Sequence, residues 1–138
     1  MKSLMRMFLG IHSGLYRLSG GKLGGTMGRN NVLLLTSTGR KSGKARTVPL
    51  GFFERQGGYV IVASNGGAPS QPGWYFNLKN NPHVTIQVFD RVIPVTTEVL
   101  SGEERAQAWQ QVVATAPPYG DYEKKTTRQI PLIFLHPN

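Results

Sequence analysis

The sequence predicts a mainly β protein, a small antiparallel barrel with helical cover. Two observations carry that expectation. About six strand-like runs follow one another at short spacing, bounded by Gly, Pro, Asn and Asp turn signals, with a few helical stretches among them. Two of the runs, His83 to Phe89 and Val92 to Val99, alternate apolar and polar residues with the period of a half-buried strand.

Taken in order, residues 1–18 read as an amphipathic helix. Leu4, Phe8, Ile11, Leu15 and Leu18 form one stripe, and Lys2, Arg6, Ser13 and Arg17 lie opposite it. The stretch is too short and too charged to span a bilayer, and it lacks the apolar core and cleavage site of a signal peptide. It is expected to pack over the barrel, with weak, salt-sensitive contact to an anionic membrane, because one short helix with Gly10 and Gly14 buries little area. Ser19 to Asn31 is Gly-rich and reads as a loop. Val32 to Leu35 then opens a strand that runs through Thr36-Ser37-Thr38 into the turn Gly39 to Gly43 and leaves as a second strand through Val48. Gly39 and Gly43 are expected to supply positive φ. Pro49 has no N–H to donate, which marks an edge or a bulge.

Gln56-Gly57-Gly58 makes the next turn, and Tyr59 to Ser64 reads as a buried strand. The long loop Asn65 to Pro72 is of the kind that is often functional. Gly73 to Asn80 can form a short helix stopped by Asn81-Pro82. His83 to Phe89 turns at Asp90-Arg91 into Val92 to Val99, interrupted at Pro94. Ser101-Gly102-Glu103-Glu104 is a capping box opening a helix to about Thr115. Pro117-Pro118 ends it, Tyr119 and Tyr122 share one side of any short helix around Asp121, and Ile130 to Leu135 closes the chain as a strand. No repeat or internal boundary divides residues 1–138, so one domain is expected.

Composition narrows the chemistry. Cysteine is absent, which removes disulfides, thiolate metal sites and cysteine nucleophiles. It also fits a cytoplasmic setting. His12, His83 and His136 are scattered, so no metal site is expected. The net charge is +9 in 138 residues, and the whole excess lies ahead of Glu54, the first acid. Such polarity implies an anionic partner: a phosphate-bearing cofactor, a membrane surface or nucleic acid.

The cations concentrate in the first hairpin, where Arg40, Lys41, Lys44 and Arg46 fall within seven positions with no acid nearby. Lys44 and Arg46 would share a face of an extended chain, and arginine adds a planar fork suited to phosphate or carboxylate. The arrangement reads as an anion clamp suited to phosphate, against the plainer alternative of a solvated hairpin tip. It is not a P-loop, since three residues separate Gly39 from Gly43 and Ala45 follows Lys44; no G-x-G-x-x-G occurs either. A nucleic-acid-binding module would need aromatics interleaved with these cations, and there are none, so nucleic acid is not expected as a partner. No Ser/His/Asp signature or carboxylate pair is visible. Beside the clamp stand the loop Ser64-Asn65-Gly66-Gly67 and the aromatics Trp74, Tyr75, Tyr119 and Tyr122. A chain poor in reactive groups but equipped for phosphate and flat rings suggests a cofactor that brings its own chemistry.

Thr36 to Leu50 (T-x-T-G-R-K-S-G-K-A-R-T-V-P-L), Val60 to Gly67 (VIVASNGG) and Trp74 to Pro82 (WYFNLKNNP) resemble the deazaflavin (coenzyme F420)-dependent nitroreductase family. Tyr119-Gly120-Asp121-Tyr122 and Arg128-Gln129-Ile130-Pro131 fit it as well. The resemblance implies a split β-barrel and coenzyme F420, a phosphate-bearing, polyglutamylated 8-hydroxy-5-deazaflavin. By position it implies that Arg40, Lys41, Ser42, Lys44, Arg46 and Thr47 hold the phosphate and carboxylate tail. Val48, Pro49, Leu50, Gly51, Val62, Ala63, Ser64, Asn65, Gly73, Trp74, Tyr75, Phe76 and Asn77 would line the ring, with Tyr119 beside it. Tyr119 and Tyr122 would wall the substrate pocket, and Ser64 and Tyr119 would orient a small-molecule electron acceptor. The implied reaction is hydride transfer from the reduced deazaflavin to an enone, lactone, quinone or nitro compound. Asn65 stands where members commonly carry Lys, and Gly51 and Ala116 replace aromatics, so a wider substrate pocket is expected. A related split-barrel oxidoreductase using FMN is the nearest alternative.

Overall fold

The computed structural model of the chain describes residues 26–27 and 30–138. The amphipathic helix expected over residues 1–18 lies outside the described residues. Seven strands form one antiparallel sheet: β1 (Thr26–Met27), β2 (Asn30–Thr38), β3 (Ala45–Arg55), β4 (Gly58–Val62), β5 (His83–Val88), β6 (Arg91–Val99) and β7 (Leu132–Pro137). Their order is β1-β2-β3-β4-β7-β6-β5, and β2 also pairs with β5. That extra pairing closes six strands into a barrel, with β1 appended at its edge. Among the described residues three α-helices accompany it: α1 (Gly73–Asn80), α2 (Gly102–Thr115) and α3 (Pro118–Lys124).

The uninterrupted apolar run Val32 to Leu35 lies within β2. β2 is hydrogen-bonded on both sides, to β3 and to β5, and all four residues are buried whichever way they point. β5 instead keeps the clean alternation, with Val84, Ile86 and Val88 buried and Thr85 and Gln87 half-buried. Pro49 sits opposite Leu34 where β3 has β2 as its neighbour, since pairing with β4 begins at Phe53. The edge reading of Pro49 therefore holds. The barrel interior is filled by Leu33, Leu35, Ile61, Ala63, Ile86, Ile133 and Leu135 among others. A second apolar layer, including Phe53, Val60, Val62, Leu132 and Phe134, lies under α2 and α3. Val62 and Ala63 thus face opposite sides of the wall, as adjacent strand residues must.

Several boundaries differ from expectation. Thr26-Met27 and Asn30-Asn31, expected in a loop, pair with one another as β1 and the start of β2; glycine-rich flanks hide so short an edge. The β5–β6 turn is Phe89-Asp90, because Val88 pairs with Arg91, and Phe89 takes a left-handed φ of 54°. β6 passes through Pro94 without a break, since Pro94 faces Thr85 on one side and lies beyond the pairing with β7. The capping box does not form. Gly102 takes φ +60°, and Ser101 caps α2 by its backbone carbonyl, which accepts from Arg105 N at 3.3 Å, not by its hydroxyl. The final strand begins at Leu132, two residues later than expected.

Candidate functional site

The β2–β3 turn is built tightly enough to fix its cations. Gly39 N donates to Lys44 O and Gly43 N to Gly39 O, both at 2.8 Å, closing five residues over the strand ends. Gly43 takes φ +70°, as expected, but Gly39 does not have positive φ. Gly39 sits where space is short: a Cβ there would stand 2.7 Å from Ser42 Oγ and 3.3 Å from Lys44 O. Lys44 N also donates to Ser42 Oγ at 3.2 Å. Below the turn, the hydroxyls of Thr36 and Thr47 meet at 2.8 Å across the two strands.

Helix α1 docks on this hairpin through Asn77, which is buried. Its Oδ1 accepts from Arg40 N at 3.1 Å and its Nδ2 donates to Ser37 Oγ at 3.4 Å. The Arg40 guanidinium lies 5.0 Å from the centre of the Phe76 ring, on the same helix. Turn and helix enclose an open cleft of about 610 Å³ lined by Gly39, Arg40, Lys41, Ser42, Ala45, Arg46, Thr47, Val48, Gly73, Trp74 and Asn77. Three cations, the N-terminal turn of α1 and one face of a half-buried tryptophan converge on it. The helix terminus adds its partial positive charge and its free N–H groups to the same side. Nothing lies within 4 Å of the place a Gly73 Cβ would occupy, so the cleft floor is open there. The arrangement is suited to an anion carried by a molecule with a flat apolar part.

Residues 8–137 match the family described as F420H(2)-dependent quinone reductase. The F420H(2)-dependent quinone reductase of Mycobacterium tuberculosis (strain H37Rv) is 38% identical over 131 residues, covering 92% of this chain and 88% of its own. The corresponding protein of Mycobacterium bovis is equally similar. The chain belongs to the F420H(2)-dependent quinone reductase family. A solved structure described as an F420-H2 dependent reductase, FDR-A, is 48% identical with a TM-score of 0.71, covering 76% of this chain and 93% of that one. A haem storage protein of Vibrio cholerae shares the fold at 18% identity and a TM-score of 0.59.

As a member, the chain is an F420H2-dependent oxidoreductase, and its cofactor is coenzyme F420. The fold is the split barrel expected of the family. The cleft suits this cofactor by its own chemistry. Arginine forks and a lysine match a phosphate and a carboxylate tail, and Trp74 offers a face for a ring.

Of the residues the sequence singled out, Arg40, Lys41, Ser42, Arg46, Thr47, Val48, Gly73, Trp74 and Asn77 come together here. The rest do not line this cleft. Lys44 is exposed on the far limb of the turn, and Pro49, Leu50 and Gly51 lie further along β3. Tyr75 packs on the barrel core with Lys79 6.0 Å above its ring, and Phe76 carries Arg40. Val62 is packed in the layer under the helices, whereas Ala63 is buried in the barrel interior. Ser64 and Asn65 belong to the segment between β4 and α1.

Tyr119 and Tyr122 do share one side of α3, their ring centres 5.7 Å apart, and Tyr119 meets Phe53 edge-on at 5.9 Å. They pack on the outer layer, and burial, with Tyr122 as a lesser contributor, pushes the Tyr119 hydroxyl above its ordinary pKa. α3 nevertheless touches the Ser64 segment: a Cβ on Gly67 would stand 3.1 Å from both Tyr122 O and Lys125 Cβ. Sequence reading assigned no role to Ala45, which lines the cleft, or to Ser37, which holds Asn77, and gave Arg128 no role beyond its motif. The signal for Arg128 was its place in the Arg128-Gln129-Ile130-Pro131 motif.

Proposed function

We propose that the chain reduces an electron-poor small molecule, a quinone before the enone, lactone and nitro compounds, at the ring end of this cleft. The observation that carries the reading is the convergence of Arg40, Lys41, Arg46 and the α1 N-terminus on one open cleft beside Trp74. When bound, reduced F420 supplies the hydride. Arg46 and Lys41 hold the anionic tail through charge-assisted bonds, while Arg40 is pre-placed by Phe76 and Asn77. The Thr36–Thr47 bridge keeps the clamp strand from sliding. Val48 and Trp74 form the apolar walls, and the backbone of Ser64 and Asn65 meets the ring. Tyr119 serves as a hydroxyl donor toward the acceptor, with Ser64 and Tyr122 as the other groups assigned to it. Fixing the acceptor in near-attack contact is worth up to ~7–11 kcal/mol in favourable cases.

Residues 1–18 are assigned to covering the pocket, with weak contact to anionic lipid at the cytoplasmic face; no helix among the described residues is long and apolar enough to cross a membrane. Titration with F420 and with FMN, followed by tryptophan quenching, tests the cofactor site. Micromolar or tighter F420 binding and weaker FMN binding are expected; the reverse order would sink the assignment. Loss of the reduced-deazaflavin signal on adding a soluble quinone then tests the acceptor. Co-sedimentation with anionic vesicles, lost at high salt, tests the membrane contact.

A further inference from the structure

The segment from Ala63 to Pro72 joins the barrel wall at β4 to the cleft helix α1, and three successive residues in it are left-handed. Asn65, Gly66 and Gly67 in succession take φ of 48°, 64° and 83°. Within the segment, Gly67 N bonds Ser64 O, Ala68 N bonds Asn65 O and Asn65 Nδ2 bonds Ser70 O. These short-range bonds close the single 3-10 turn but do not fix its place on the barrel.

Arg128 does that. It lies between α3 and β7, and its guanidinium spends four hydrogen bonds on this one segment. Nε donates to Ala68 O at 3.0 Å, Nη1 to Ala63 O at 3.3 Å and to Gln71 Oε1 at 2.8 Å, and Nη2 to Ser64 O at 2.8 Å. Every one of these acceptors is neutral, and among the described residues no carboxylate is paired with Arg128. It gathers three backbone carbonyls around a rigid planar cation, a shape lysine cannot reproduce.

The consequence follows from peptide geometry. In a trans peptide the carbonyl of one residue and the N–H of the next point in opposite directions, and no cis bond occurs among the described residues. Turning the Ala63 and Ser64 carbonyls onto Arg128 therefore turns the Ser64 and Asn65 N–H groups away from it. Neither N–H has an acceptor among the described residues. We propose that Arg128 is a positioning residue, which by capturing these carbonyls presents the Ser64 and Asn65 N–H groups as a fixed pair of donors to a carbonyl or ring nitrogen of the bound deazaflavin. This rests on the F420 reading of the cleft and adds the residue that sets its ring end.

Two measurements separate failure of this inference from failure of that reading. In the cofactor-free protein, amide exchange across residues 63–71 should quicken at least about tenfold in Arg128→Ala, with β2 and β5 unchanged. Adding free guanidinium should slow it again, and Arg128→Lys should fall between. In binding, a deazaflavin fragment without phosphate and tail is compared with whole F420. Arg128→Ala should weaken both by a similar factor of about ten and shift the absorbance maximum of the bound ring. Arg46→Ala should weaken whole F420 alone. Unchanged exchange in Arg128→Ala, or exchange quickened throughout the barrel, would overturn the positioning role. Exchange quickened in the segment with fragment affinity and spectrum unmoved would overturn the link to the ring. If wild-type protein binds neither compound while the exchange result holds, the F420 reading fails, and the ring-facing role fails with it.

Discussion

Tyr119 shows how one residue's surroundings become measurable. Its hydroxyl titrates above the ordinary value of about 10, first because it is buried and second because Tyr122 is near. Between the ordinary and the raised value the unfolded chain has lost this proton while the folded chain keeps it. The folded state then binds more protons, so stability is fully present below the ordinary value and falls as pH rises through that window. Urea melts at about pH 9 and about pH 11 should show a smaller drop for Tyr119→Phe than for wild type, since phenylalanine keeps the ring contacts with Phe53 and Tyr122. At the clamp, Arg46→Ala should weaken F420 binding by roughly 1.5–3 kcal/mol, the range for a bond to a charged group. The remote, exposed Lys124→Ala should leave the titration nearly unchanged.

The β2–β3 hairpin is the element on which the site depends, and its turn was read correctly in place but half wrongly in cause. Gly43 has the left-handed φ that a turn signal implies. Gly39 is there because Ser42 Oγ and Lys44 O crowd its α carbon, a tertiary fact that composition does not carry. Gly39→Ala should therefore cost about 1–3 kcal/mol in chemical denaturation, as overpacking does, and should also loosen F420 binding because the clamp shifts with the turn. α1 was legible from its length and its Asn81-Pro82 stop, yet the purpose of Asn77 was not. Its amide is committed to Arg40 N and Ser37 Oγ, so it secures the helix to the hairpin. The unformed capping box has a similar lesson: Ser101 and Glu104 had the spacing, and the φ of Gly102 overruled it.

For the whole molecule, the antiparallel barrel was readable because alternation and turn residues are local signals, whereas its closure is not local. Nothing near Leu34, Leu35 and Thr36 announces that Gln87, Ile86 and Thr85 will pair with them. The clamp was legible as a charge cluster. The distance of Tyr119 and Tyr122 from it was not, since family motifs give residue types and not which side of a wall they occupy. The charge asymmetry makes a prediction at this scale. With all of the +9 excess ahead of Glu54, F420 association should slow steeply as salt rises from about 0.01 M to about 0.15 M, where the screening length shrinks from about 30 to 8 Å. Stopped-flow quenching measures it, and a flat salt response would contradict it.

The empty space beside Gly73 has a practical use in a chain without cysteine. A Gly73→Cys variant would carry a single thiol at the first turn of a helix, facing three cations. Both features lower a thiol's pKa below its usual value of about 8.5 and keep it as the reactive thiolate. A maleimide dye should then couple at that one position at neutral pH with no background. Bound cofactor should slow the coupling, making the cleft its own occupancy gauge.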